Sequence, residues 1–263
     1  MIKFKIIGMM KRSLLIFILL GLFVHVSKAQ DLWKIKRYEA FATIGTTHFF
    51  GDIGGFSQTK NILGFRDISF KQTRLNLGGG IKYRIVPRLN IRGGLTFGVF
   101  HATDGRGSNE PREMNATTTF FEPTLCGEYF IIKSKKEDSY LFIKGKRTPI
   151  KSIMESIDIY ALTGIGGLGF KVKGNDELVS LGFTDHGFTA IIPVGIGITL
   201  LVHPNYNLGL ELSGRYTFSD FIDGYTSQYS RSNDVYYFLN FTFTYKIITG
   251  SNGLPRFLNK SRF

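Results

Sequence analysis

Apolar and polar residues alternate along this chain in segments of ten or more, and no other feature limits its fold as strongly. In "NDVYYFLNFTFTYKI" (233–247), every second residue from Val235 reads Val, Tyr, Leu, Phe, Phe, Tyr. The residues between them, from Tyr236, read Tyr, Phe, Asn, Thr, Thr, Lys. A period of two belongs to the β-strand, whose successive side chains point to opposite faces. Seven more segments carry it: 37–50, 73–83, 89–100, 120–131, 157–170, 188–201 and 207–218. In 73–83, Leu75, Leu77, Ile81 and Tyr83 oppose Arg74, Asn76 and Lys82. Glycines blur the two faces of 157–170. Pro123 and Pro193 fall inside segments, where each removes a ladder donor, and they predict bulges.

Segments of this length suit strands that cross a bilayer at a tilt, which takes about 9–11 residues. A soluble β-sandwich also alternates, but its polar face is solvated. Here that face holds mainly Gly, Thr and a few charges, which suits a tight interior. Backbone amides cannot be left unpaired in hydrocarbon, so a spanning sheet must close on itself. Eight is an even number, as in closed bacterial barrels. The expected fold is all-β: an eight-stranded antiparallel transmembrane β-barrel, apolar outside and polar inside. Tyr83, Tyr129, Tyr216, Tyr237 and Tyr245 would form girdles at the strand ends.

The amino terminus reads as an export signal. Lys3, Lys5, Lys11 and Arg12 precede a 13-residue apolar run, Leu14–Val26, too short for a bilayer-crossing helix. "SKA" follows, with small residues where a signal peptidase cuts. The expected divisions are a cleaved signal peptide (1–29), an outer-membrane barrel (30–248) and a basic periplasmic tail (249–263). Cleavage lowers the net charge from +13 to +8. Export argues against nucleic acid as the partner of the remaining basic surface, and points to outer-membrane lipid. Cys126 is the only cysteine, so no internal disulfide can form.

The connections alternate in length. Short turns (85–88 and 202–207) suit the periplasmic side, and longer ones (51–71, 102–114, 171–187 and 219–233) suit the exterior. One connection breaks the rule. Ser134–Ser156 is a long periplasmic turn, strongly basic together with Lys133, and its "YLFIKG" (140–145) reads as a short strand extension.

These registers turn Glu39, Glu122, Glu128 and Glu211 inward, against Arg74, Lys82, Arg92 and Arg215. An eight-stranded barrel has a bore just wide enough for side chains to fill. A buried charge without a partner is very costly. A balanced ion-pair network that plugs the bore is therefore expected, in preference to a conducting pore or a catalytic pair of acids. His48, His101 and His186 fall near the exterior rim with Asp104, Ser108 and Asp185, but no hydrolase motif surrounds them. "GIGGLG" (164–169) lies within a strand and not at a helix start, so it is no nucleotide site. No catalytic residue, metal or cofactor is expected.

Several stretches also resemble a known family. They are "FFGDIGG" (49–55), "IYALTGIGGLGF" (159–170), "IPVGIGITLLVHPNYNLGLELSGRYTF" (192–218), "RYTFSDFIDGYTSQY" (215–229) and "SNDVYYFLNFTFTYK" (232–246). In order and spacing they resemble PorG-like outer-membrane barrels of the Bacteroidota, components of the type IX secretion system. The resemblance implies a non-enzymatic barrel anchoring a periplasmic ring, built from a lipoprotein and its partner, for cargo export. It gives the basic periplasmic side a role in steering a partner. The candidate contacts are Lys133, Lys135, Lys136, Lys144, Lys146, Arg147 and Lys151 in the turn, and Arg256, Lys260 and Arg262 in the tail. The turn and the tail are where this chain departs from the family pattern. "GDIGG" (51–55) and "DFIDG" (220–224) would shape loops or form an exterior contact surface. A small passive transport barrel for a hydrophobic or small polar solute is the alternative that the strand number allows.

Overall fold

Each alternating segment forms a strand. The computed structural model describes residues 36–54, 71–105, 110–134, 153–226, 233–249 and 254–255. The strands are β1 (Tyr38–Phe50), β2 (Arg74–Val86), β3 (Leu89–Thr103), β4 (Asn115–Ile132), β5 (Ile157–Gly174), β6 (His186–His203), β7 (Tyr206–Thr217) and β8 (Val235–Ile247). Each pairs antiparallel with the next, and β8 returns to β1 to close the barrel. The closing register runs unbroken from Tyr38↔Ile247 to Phe50↔Val235. The strands β4, β5 and β6 have 18 residues each, longer than their sequence patterns indicated. A single helical turn, α1 (Asp176–Ser180), lies between β5 and β6, with Asn175 capping it by accepting the Leu178 amide. Among the described residues, no helix is long and apolar enough to cross a membrane.

The two faces separate as their chemistry requires. Leu75, Leu77, Ile81, Leu95, Phe97, Val194, Ile196 and Phe241 stand exposed on the outer wall. Tyrosines gather toward the ends. Tyr38 lies 5.1 Å from Tyr83, and Tyr206 lies 5.3 Å from Tyr245, ring centroid to ring centroid. Tyr129, Tyr216 and Tyr245 are also exposed on this wall. At the other end of the wall, Phe50 meets Tyr237 edge-on at 5.3 Å.

The expected bulges at the prolines do not form. Pro123 stays in register with Leu95, and Pro193 with Arg215. Each proline falls in a gap in the pairing with β5, but the register on either side of the gap is the same. A missing donor thus costs a rung and inserts no residue. The register shifts lie instead beside the short turns and the β4–β5 connection, at Arg84/Val86, Phe130/Ile132 and Leu201/His203.

The interior has two levels. Toward the end that carries the long loops, Phe49, Phe100, Phe120, Tyr236 and Phe238 form an aromatic core, with Phe100 and Phe120 stacked at 4.2 Å. Four connections each send one buried apolar side chain into this core: Ile53, Met114, Leu178 and Ile222. Toward the short-turn end, buried charges pack around a smaller apolar cluster of Cys126, Phe130, Tyr160 and Leu162. The signal peptide (1–29), the "YLFIKG" stretch, Ser108, and the candidate contacts Lys135, Lys136, Lys144, Lys146, Arg147, Lys151, Arg256, Lys260 and Arg262 lie outside the described residues.

Candidate functional site: the filled bore and its two ends

The polar level is an ion-pair network. Glu128 accepts from Lys82 Nζ at 2.8 Å and from Arg92 Nη1 at 3.3 Å. Arg92 Nη1 also donates to Glu211 Oε2 at 2.6 Å, and Tyr160 Oη donates to the same oxygen at 2.7 Å. Nearer the aromatic core, Glu122 accepts from Arg215 Nε at 3.2 Å and from Tyr236 Oη at 2.7 Å. Nearer the short turns, Arg84 Nη2 donates to Glu39 Oε1 at 2.8 Å. Flat rings complete the packing. The Arg92 guanidinium lies 4.3 Å over Phe41, and that of Arg215 lies 4.0 Å over Phe238. Glycine makes room: a Cβ on Gly197 would overlap the Tyr160 ring.

Seven of the eight expected lumen charges are therefore buried here: Glu39, Lys82, Arg92, Glu122, Glu128, Glu211 and Arg215. Arg74 is the exception. It has the right parity but stands at the first position of β2, at the rim. There its guanidinium holds the carbonyls of Lys71 at 2.8 Å and Thr73 at 2.9 Å. Arg84 takes its place in the network. Arg84, Tyr160 and Tyr236 were not anticipated, and neither were Lys246 and Asp158 as inward charges. Lys133, expected as a steering cation, is already engaged: its ammonium lies 3.2 Å from Asp158 Oδ2 and 4.3 Å over the Phe130 ring.

The loop end is a cap tied by carboxylates. Asp104 accepts the Gly54 amide at 2.8 Å and pairs with Arg112, which also donates to the Asp52 carbonyl at 2.9 Å and lies 5.5 Å over the Tyr225 ring. Asp223 accepts the Ile53 amide at 3.0 Å and the Tyr225 amide at 3.1 Å. Asp234 accepts the Ile222 amide at 2.8 Å. Gly54 and Gly224 take φ of +79° and +84°, so "GDIGG" and "DFIDG" do shape loops, with their isoleucines buried beneath. A Cβ at Gly51 would lie 2.6 Å from Asp223 Oδ2 and 2.8 Å from Asp234 Oδ1, so both carboxylates face one point. Burial pushes Asp223 up to about 7, with Asp52 and Asp220 adding repulsion. Burial also raises Asp234 well above the ordinary carboxylate range, and Asp223 beside it adds to that.

The rim histidines assemble no catalytic pair among the described residues. His48 and His101 stand on the outer face, bonded to Thr46 at 3.2 Å and Thr117 at 3.1 Å, while Asp104 is buried on the inner side. His186 is exposed beside Asp185 at 2.6 Å. Among the described residues no group of His, Cys, Asp and Glu could hold a metal ion.

A water-soluble protein buries its apolar side chains and exposes its charges. Here the long wall of the barrel exposes leucine, isoleucine and phenylalanine, and Glu122 and Glu128 are 0% exposed inside it. A closed sheet with that inversion has hydrocarbon for its solvent. The chain is an outer-membrane β-barrel. No protein-family model matches it, and no curated protein matches it. Among solved structures it is similar to Neisserial surface protein A, with 11% identity, 80% of this chain and 96% of that chain covered, and a TM-score of 0.44. It is also similar to a major outer membrane protein from Thermus thermophilus (14% identity, 79% and 98% covered, TM-score 0.41). A third is Ail, the attachment invasion locus protein of Yersinia pestis (12% identity, 80% and 98% covered, TM-score 0.39). The barrel's own belt of apolar side chains and its filled bore carry the outer-membrane reading. The short turns, the start of β1 and the end of β8 then face the periplasm.

Proposed function

We propose that this barrel is a non-enzymatic anchor in the outer membrane, working through its two ends and not through its bore. The filled bore carries this reading. An aromatic core and an ion-pair network occupy successive levels of the lumen, and loop side chains cover the outer one. A small barrel packed in this way offers partners a lipid-facing wall, an exterior cap and a periplasmic mouth. The sequence resemblance to PorG-like barrels supports a finer version. In it, the barrel organises a periplasmic ring of the type IX secretion system, made of a lipoprotein and its partner, for cargo export.

Two measurements test the reading at its two levels. The purified barrel in planar bilayers is expected to show no stable conductance steps; steady channels would overturn the anchor reading itself. Affinity capture from detergent-solubilised outer membrane is expected to bring down a periplasmic lipoprotein complex. Deletion of the gene is expected to abolish cargo export, and unimpaired export would rule out the secretion role alone.

A further inference from the structure

One cation of the bore makes no close ion pair among the described residues. Lys246, the penultimate residue of β8, points inward at the periplasmic mouth and is 5% exposed. Its backbone amide donates to Asn205 O at 2.8 Å, but its ammonium makes no hydrogen bond or ion pair with a described residue. Its cross-strand neighbour is Glu39, whose Oε1 is held by Arg84 at 2.8 Å. The other inward-facing carboxylate of the mouth, Asp158, is held by Lys133 at 3.2 Å and by the Ser134 amide at 2.5 Å. Each carboxylate of the deeper network is likewise engaged by a cation other than Lys246. A charge this buried and lacking a close partner costs several kcal/mol. Of the inward-facing charges of the mouth, Arg84, Lys133 and Lys246 outnumber Glu39 and Asp158 by one, and the Lys246 ammonium has no hydrogen-bond or ion-pair contact with a described side chain.

We propose that the periplasmic mouth is a binding site for a single carboxylate, received by Lys246 Nζ beside the Glu39–Arg84 and Asp158–Lys133 pairs. One positive charge matches a monoanion. A phosphate dianion would bring a second negative charge close to Glu39 and Asp158. The carboxylate can come from a peptide that reaches the mouth or from a small organic acid. The site depends on the barrel's orientation only and stands whether or not the partner is a secretion ring.

The test uses the full mature protein in lipid nanodiscs, with its lysines reductively methylated with carbon-13, which preserves their charge. The Lys246 signal is assigned by its absence in Lys246→Arg. The probes are acetate, N-acetyl-triglycine, the C-terminal amide of that peptide, inorganic phosphate, and chloride at matched ionic strength. A saturable shift of Lys246 with acetate or the free-acid peptide, and none with the amide or chloride, is the expected result. Phosphate is expected to bind more weakly than acetate. Response to the peptide but not to acetate would identify a protein source, and an equal response would identify small acids. Lys246→Met, followed by isothermal titration calorimetry because it lacks the reporting lysine, is expected to weaken carboxylate binding about tenfold or more, the size of one charge-assisted hydrogen bond. Should that variant not fold, Lys246→Gln serves in its place. Absence of a saturable shift with either carboxylate, or equal binding by the substituted barrel, would overturn the site.

Discussion

Acid should tighten the exterior cap, and the size of the effect can be worked out. Asp223 is buried beneath the loops, with a carboxyl pushed up to about 7 from an ordinary 3.8. The closed cap keeps this proton up to about pH 7, whereas an opened cap releases it near 3.8. Between those values the closed state binds more protons, so its stability falls as pH rises and is lowest above pH 7. Raising the pH from 5 to 8 should cost the closed cap about 3 kcal/mol, roughly a hundredfold rise in opening, at about 1.4 kcal/mol per unit. Asp234, raised in the same direction, adds to this. The reporters are the amides of Ile53 and Ile222, each donated to one of the two carboxylates. Their hydrogen exchange, corrected for intrinsic base catalysis, should speed up by about that factor in lipid nanodiscs. Asp234→Asn keeps an acceptor for the Ile222 amide and removes one charge, so it should protect both amides at pH 8 and flatten the profile. Protection that stays constant or increases from pH 5 to pH 8 would refute the reasoning.

Further expectations concern the bore. Glu211→Ala takes away one of the two carboxylates on Arg92 and the acceptor of Tyr160, and should cost about 3–5 kcal/mol in urea unfolding of the refolded barrel. Arg74→Ala, at the rim with carbonyl partners only, should change the same measurement by no more than about 0.5 kcal/mol. Gly197→Val should displace the Tyr160 ring and lower stability, while the double change with Tyr160→Ala recovers part of the loss, as a double-mutant cycle would show. Ile222→Asp should open the cap to added protease while the barrel keeps its heat-modifiable migration on gels, since Ile222 packs with the loops and belongs to no strand.

Alternation revealed the strands, their facing and their order, because membrane and lumen impose opposite chemistry on successive residues. It did not reveal depth. Arg74 and Lys82 share a parity, yet one lies at the rim and the other in the network, since the sheet's extent decides where a strand end sits. Arg84 was missed because the clear alternation of β2 stops at Tyr83, whereas the strand continues to Val86. Lys246 was visible as the last residue of a polar face, but its isolation depends on which carboxylates Arg84 and Lys133 take, a matter of three-dimensional reach. The prolines misled for a similar reason: a lost donor predicts disturbance without saying whether the ladder gains a residue or skips a rung. The cap was the least visible part. Ile53, Met114, Leu178 and Ile222 are far apart in sequence and belong to no periodic segment.

Those four isoleucine, methionine and leucine side chains bind the exterior end into a single piece of architecture. An antibody or phage that selects for change in one loop also acts on the three that share its footing. An epitope tag placed at any of the four anchor positions would therefore be expected to disturb all of the others.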